Sequence, residues 1–198
     1  MSSTFPPHVE RQLKLLATKT TLYRTIDLGI NKFVHPDGTG GRAHEVCMVF
    51  RRPGGDVLTF RKTFYPPGVY RLPTGGILPG EEIVDALTRE AKEETGLSGD
   101  PHRLLAAVGY RAGEAGQHPS TYTFAFLLDD VRAAPVATDL QEQVEDFQWV
   151  DADQLPRMAD VLARLGTTWS PDLEGTWDDW GRFRAVIHMV IWEALQER

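Results

Sequence analysis

Cysteine is nearly absent from this chain. Cys47 is the only one, set in the apolar run EVCMVF. A lone cysteine excludes an intrachain disulfide, and its surroundings read it as a small buried hydrophobe rather than a nucleophile. Long hydrophobic runs are missing too, and no stretch approaches the roughly 18 to 20 apolar residues that a membrane-spanning helix needs. The opening MSSTFPPHVERQLKLL lacks the apolar core and small-residue cleavage site of a secretory signal. A reducing cytoplasm and no membrane partner are the expectation. Positive charge is scarce: 21 Lys and Arg face 28 Asp and Glu, a net charge of −7. That balance argues against a surface that grips nucleic-acid phosphates. There is no internal repeat, and HPDGTGG, RRPGGD and YPPG are turn punctuation.

What remains has the composition of an ordinary globular protein, 41% hydrophobic and 25% charged over 198 residues. One domain over 1–198 is expected, with a core of about 42–165, an N-terminal strand extension and a C-terminal helical extension. TLYRTIDLGINKF, HEVCMVFRR and DVLTFRKTF are rich in β-branched and aromatic residues, and the last two flank PGG, so they predict strands and a hairpin. RLLAAVGYR, STYTFAFLL and EDFQWV also read as strands. One helix is expected from about Glu82 to Thr95, stopped by Gly96 in the left-handed region. A second is expected from Asp153 to about Leu165 with Asp151 near its cap. In the third, WGRFRAVIHMVIWEAL, the apolar stripe reads as core and His188 as a packed or surface histidine.

The acidic residues are not spread evenly. Between 75 and 97, Glu81, Glu82, Asp85, Glu90, Glu93 and Glu94 face only Arg89 and Lys92. At about 100° per residue, Ile83, Ala86 and Leu87 share one stripe of the helix, and Glu90 and Glu94 continue it within about 20° of Ile83, with Glu93 beside them. Carboxylates on an inward stripe need a compensating cation, and hard divalent ions prefer oxygen ligands. A solvated acidic face steadied by an Arg89–Glu93 pair is the alternative.

The spacing around those glutamates is specific. Gly75, five residues, Glu81, seven residues, then Arg89-Glu90-Ala91-Lys92-Glu93-Glu94-Thr95-Gly96-Leu97 fits G-x5-E-x7-R-E-U-x-E-E-x-G-U at every fixed position. The segment resembles the Nudix box, the signature of the Nudix hydrolases. The resemblance implies an α/β class fold, an α/β/α sandwich with a mixed twisted sheet between the box helix and C-terminal helices. It also implies hydrolysis of a nucleoside diphosphate linked to another moiety, with Mg²⁺ or Mn²⁺ held by Glu90, Glu93 and Glu94 and by the carbonyl of Gly75. By similarity, Glu81 and Arg89 pair and hold the loop and helix in register.

Relatives in that family often take a general base from a later loop, here DLQEQVEDFQWV, which offers Glu142 and Glu145; where some place a carboxylate before the aromatic, this chain has Gln148. Strand parity in EDFQWV puts Glu145 on the face of Phe147 and Trp149, so Glu145 is the expected base and Glu142 the alternative, with Glu90 a third. The approach DVLTFRKTFYPPGVYRLPTGGILPGE loosely resembles ADP-sugar pyrophosphatases. In it Arg61 and Arg71 are candidates to meet a phosphate, and Phe64, Tyr65 and Tyr70 to stack on a base. The expected substrate is a small nucleotide, an NDP-sugar such as ADP-ribose. The alternatives are a nucleoside triphosphate pyrophosphatase and a non-catalytic nucleotide sensor. A homodimer through the N-terminal strands or the last helix is a further option.

Overall fold

The computed structural model describes residues 7–34, 44–98, 103–111 and 118–197; the HPDGTGG turn lies outside them. In chain order the elements are α1 (Pro7–Leu16), β1 (Leu22–Asp27), β2 (His44–Phe50), β3 (Val57–Lys62), β4 (Thr74–Gly76), α2 (Ile83–Thr95), β5 (Arg103–Arg111), β6 (Thr121–Leu128), β7 (Val144–Val150), α3 (Leu155–Leu162), β8 (Trp169–Ser170), β9 (Gly175–Thr176) and α4 (Trp177–Gln196).

Five strands form a mixed sheet in the order β1-β5-β6-β2-β4. The β1–β5 and β2–β6 pairs are parallel, and β5–β6 and β2–β4 are antiparallel. Strand β2 explains the layering. Its side chains alternate between faces, and both faces are covered. Cys47 and Val49 pack with Phe183, Ile187, Val190 and Ile191 of α4. Val46, Met48 and Phe50 pack with Ile83, Leu87 and Ala91 of α2 and with Val9 and Leu13 of α1. The unbroken apolar run of EVCMVF is what a strand buried on both sides requires. The result is the expected α/β/α sandwich with a mixed sheet and an added C-terminal helix.

Three expectations are corrected in detail. The PGG turn closes, with Gly55 N–H donating to Arg52 O at 3.0 Å, but β2 and β3 share only one bridge, Arg51 to Val57. Strand β3 leaves to pair with β7 in a separate two-stranded sheet, because β2 already has neighbours on both sides. The N-terminal segment, expected to add a strand, adds helix α1 as well. Gln12 on that helix accepts the N–H of Ile83 at 2.8 Å, doing for α2 the capping that the side chain of Glu82 does not. The second helix is shorter than expected. A 3₁₀ turn over Ala152–Gln154 precedes α3, and the side chain of Asp151 accepts from Asp153 N–H at 2.9 Å.

Candidate active site

Helix α2 ends where its sequence requires: Gly96 has φ +63° and closes the last turn onto Lys92 O. This fixes the second half of the helix, with its three glutamates, against β4. Glu90 and Glu94 are buried, 4% and 1% exposed. Gly75 is what allows Glu90 in: a Cβ at that position would lie 2.0 Å from the Glu90 carboxyl carbon. Glycine is needed here for close approach rather than for an unusual backbone angle.

Arg89 organises the loop before the helix. It grips both oxygens of Glu81, from Nε at 2.8 Å and from a terminal nitrogen at 2.9 Å, and donates to Gly76 O at 2.8 Å. Its other terminal nitrogen reaches Glu90 at 2.7 Å and Glu93 at 3.1 Å. Glu81 also accepts the N–H of Leu78 at 2.8 Å. The Arg89 hydrogen bond holds the Glu81 carboxyl below the usual carboxylate range, against the opposing effect of burial.

Glu90, Glu93 and Glu142 each place an oxygen within 4.8 Å of the others. Oxygens that share a divalent ion at bonds of about 2.0 to 2.6 Å stand at such separations. Burial pushes the Glu90 carboxyl up, opposed by Arg89. It pushes Glu94 up to about 7, opposed by Lys62 and Arg71. One oxygen of Glu94 is buried without a partner among the described residues. An orphaned buried carboxylate oxygen beside three convergent carboxylates is a donor set that suits a hard divalent cation such as Mg²⁺ or Mn²⁺.

The carboxylates open into a cavity of about 250 Å³ whose lining includes Glu90, Glu94, Glu142, Gly75, Lys62, Arg71 and Arg184. Lys62 Nζ stands 2.8 Å from Glu142 and 3.2 Å from Glu94. Arg71 is buried; its Nε donates to Tyr65 Oη at 2.7 Å and one terminal nitrogen donates to Leu72 O at 2.8 Å and to Thr74 Oγ1 at 2.9 Å.

The sequence candidates therefore divide. Gly75, Glu81, Arg89, Glu90, Glu93, Glu94, Arg71 and Glu142 come together. Arg61, Tyr70 and Glu145 do not line the cavity; they form a cluster on the β3–β7 sheet. There Arg61 donates to Glu145 at 3.0 Å, and Tyr70 donates to Asp146 at 2.5 Å. The parity argument for Glu145 fails because the β3–β7 register shifts between Arg61 and Lys62 and Glu145 turns out to pair with Arg61. Glu142, on the 3₁₀ turn Leu140–Glu142, is the loop carboxylate at the site. Of the aromatics, Tyr65 packs edge-on against Trp177 and Trp180 and Phe64 packs on Tyr65.

Sequence reasoning missed Lys62, Glu45 and Arg184. The signal for two of them was present: Glu45 opens an otherwise apolar strand, and Arg184 sits four residues from both Trp180 and His188 on the stripe of α4 that was read as core.

Glu90, Glu94 and Glu142 thus share one cavity with Lys62, Arg71 and Arg184. The NUDIX domain model matches residues 41–168, and the chain belongs to that family. It is similar to the NAD-capped RNA hydrolase NudC of Stutzerimonas stutzeri (strain A1501), 27% identical over 105 residues that make up 53% of this chain and 35% of that one. It is also similar to the NAD-capped RNA hydrolase NUDT12 of Homo sapiens, 29% identical over 148 residues, 73% of this chain and 26% of that one. The chain thus spans about a third or less of the length of these two relatives. Among solved structures, the NUDIX domain of Shewanella oneidensis NrtR complexed with ADP ribose is 19% identical, with 82% of this chain and 94% of that one covered at a TM-score of 0.49. No helix among the described residues is long and apolar enough to cross a membrane.

Proposed function

We propose that this protein hydrolyses the pyrophosphate bond of a nucleoside diphosphate joined to a second moiety, with ADP-ribose and dinucleotides such as NAD as the leading substrates. The observation that carries the reading is the convergence of Glu90, Glu93 and Glu142 on one another, with Glu90, Glu142 and buried Glu94 lining one cavity. The names of the similar proteins support the substrate class, since NAD is itself two nucleosides joined through a diphosphate. The net charge of −7 favours a small nucleotide over a long RNA.

Glu90, Glu93, Glu94 and Glu142 would hold the cation. Bound there, Mg²⁺ or Mn²⁺ supplies charge neutralisation for the diphosphate and acidifies a water. The chain's own contribution is positioning. Arg89 and Glu81 lock the loop from Gly76 to Glu81 onto α2, so the carboxylates meet the substrate without rearrangement. Water attacks one phosphorus, the bridging P–O bond breaks, and the leaving phosphate takes the electron pair. A carboxylate of the cavity accepts the proton of the attacking water, and its place in the cavity lining favours Glu142 for that role.

The test is turnover of ADP-ribose, NAD and a panel of nucleoside triphosphates with Mg²⁺ or Mn²⁺, read by phosphatase-coupled phosphate release. AMP should appear from the first two, and excess EDTA should abolish it. Turnover of triphosphates alone, with pyrophosphate released, would overturn the substrate class, and full activity in EDTA would overturn the metal assignment.

A further inference from the structure

Arg184 is the cavity cation whose donors are least used. Its NH1 donates to Glu45 at 2.6 Å, and its guanidinium lies over the Phe183 ring at 4.9 Å from the centroid. Glu45 is itself fixed by the Thr123 hydroxyl at 2.8 Å. The main chain of Arg184 is fixed too, since His188 Nδ1 donates to Arg184 O at 2.8 Å. The side chain is 14% exposed, yet its Nε is buried and has no partner among the described residues. The other two cations of the cavity make more bonds: Arg71 to Tyr65, Leu72 and Thr74, and Lys62 to Glu94 and Glu142.

A buried, unpaired guanidinium donor is costly unless something arrives to accept from it. An arginine fork held in one orientation is suited to an oxyanion rather than to a neutral group. The carboxylates on the other wall would hold a substrate's diphosphate through a cation, so the oxyanion that reaches Arg184 is part of the same ligand. Together with Phe33 and Phe183, Arg184 is the part of the cavity lining contributed from outside residues 41–168.

We propose that Arg184, delivered by the C-terminal helix, is a substrate-binding and specificity-determining residue that takes an oxygen of the substrate's diphosphate, with Glu45 as its positioning partner. The inference rests on the hydrolase reading for its ligand, but its test does not depend on turnover. Binding of α,β-methylene-ADP, a diphosphate with no bridging P–O–P bond, is measured by calorimetry with Mg²⁺ for wild type, Arg184→Gln, Arg184→Lys and Glu45→Gln.

Arg184→Gln should weaken the analogue by about 10- to 100-fold, the scale of a lost charge-assisted pair. Arg184→Lys should fall between, keeping the charge without the fork. Mn²⁺ binding in the absence of nucleotide should be unaltered, because Arg184 is not a carboxylate ligand. If the Arg184–Glu45 pair only ties α4 to β2, Glu45→Gln will cost as much analogue binding as Arg184→Gln, and the proposal is overturned. It is also overturned if Arg184→Gln binds like wild type, or if wild type does not bind the analogue. Arginine-dependent binding without turnover of any diphosphate would sink the hydrolase reading and leave this one standing. Turnover of ADP-ribose with unchanged KM and analogue binding in Arg184→Gln would do the reverse. Arg184→Lys keeps the test decisive if the glutamine variant fails to fold.

Discussion

The ammonium of Lys62 stands 3.2 Å from the carboxylate of Glu94, the more buried of the two most enclosed acids in the site. Without a divalent ion, Lys62 is the positive charge that lets Glu94 and Glu142 share the cavity. Lys62→Met should therefore lower the stability of the metal-free protein by on the order of 2 kcal/mol, since a buried acid loses its partner. It should also enlarge the rise in Tm that Mn²⁺ produces, because the ion no longer competes with an internal cation. Thermal melts with EDTA and with Mn²⁺ check both, and an identical Mn²⁺ shift in variant and wild type would refute the competition.

Glu93→Gln and Glu94→Gln should each lower kcat by orders of magnitude at saturating Mn²⁺ while leaving the fold intact, since each loses a charged oxygen from the face that would hold the ion. In EDTA the Tm of Glu94→Gln should equal or exceed that of wild type, because a neutral amide is cheaper to bury than a carboxylate with one oxygen unpartnered among the described residues. Near wild-type rates in both variants would refute their role in holding the catalytic ion.

The loop carboxylates can be told apart. Glu142 stands with Glu90 and Glu93, whereas Glu145 is paired with Arg61 outside the cavity. Glu142→Gln should reduce kcat by about 10² to 10⁴-fold if it accepts the proton of the attacking water. Glu145→Gln should change kcat by no more than a few-fold. Steady-state rates at saturating metal decide it, and the opposite ranking would return the role to Glu145.

How much of this was legible in the sequence follows from the range of the forces involved. Helix α2 and its stop at Gly96 depend on neighbours a few residues away, as do strands β5, β6 and β7, and all were readable from periodicity and turn residues. Helix α1 was not, because its buried residues Val9 and Leu13 form only a short amphipathic stripe among charges. The separation of β2 from β3 was hidden as well, since strand partners are chosen by the whole sheet. In the site, Glu90, Glu93 and Glu94 could be read because they lie on one helix. Lys62, Glu45 and Arg184 could not be assigned, because their meaning depends on three segments far apart in sequence meeting at one cavity. Glu145 was misplaced by an irregular register, which alternation alone does not foresee.

Gly75→Ala tests the packing of the site without removing any ligand side chain. Its new methyl would meet Glu90 at about 2 Å, and Glu90 is tied to Arg89, so the carboxylate must move. Weakening of Mn²⁺ binding by about 10- to 100-fold is expected, the scale seen when groups that orient ligands are altered. Mn²⁺ titration by electron paramagnetic resonance measures it, and wild-type affinity would show that Glu90 contributes little to holding the ion.

His188 gives the fold a pH dependence that does not come from a carboxylate. It is fully buried; its Nδ1 donates to Arg184 O and its Nε2 accepts the N–H of Leu72 at 3.1 Å, so the ring is neutral and carries its proton on Nδ1. Burial pushes its pKa down to about 4, the hydrogen bond to Arg184 O opposes, and Arg71 and Arg184 lower it further. A second proton on Nε2 would also displace the Leu72 bond. The folded state thus binds this proton less readily than the unfolded chain, in which the pKa is near 6.5. Its contribution to stability is complete above that value and is lost as pH falls from about 6.5 towards 4. Between pH 7.5 and 5 the loss from this one group is on the order of 2 kcal/mol. Gln at 188 can donate and accept without titrating, so His188→Gln should remove about that much of the acid sensitivity, even if it is less stable at pH 7.5. Urea unfolding of both proteins at the two pH values measures the difference, and parallel losses in wild type and variant would show that the acid sensitivity arises elsewhere.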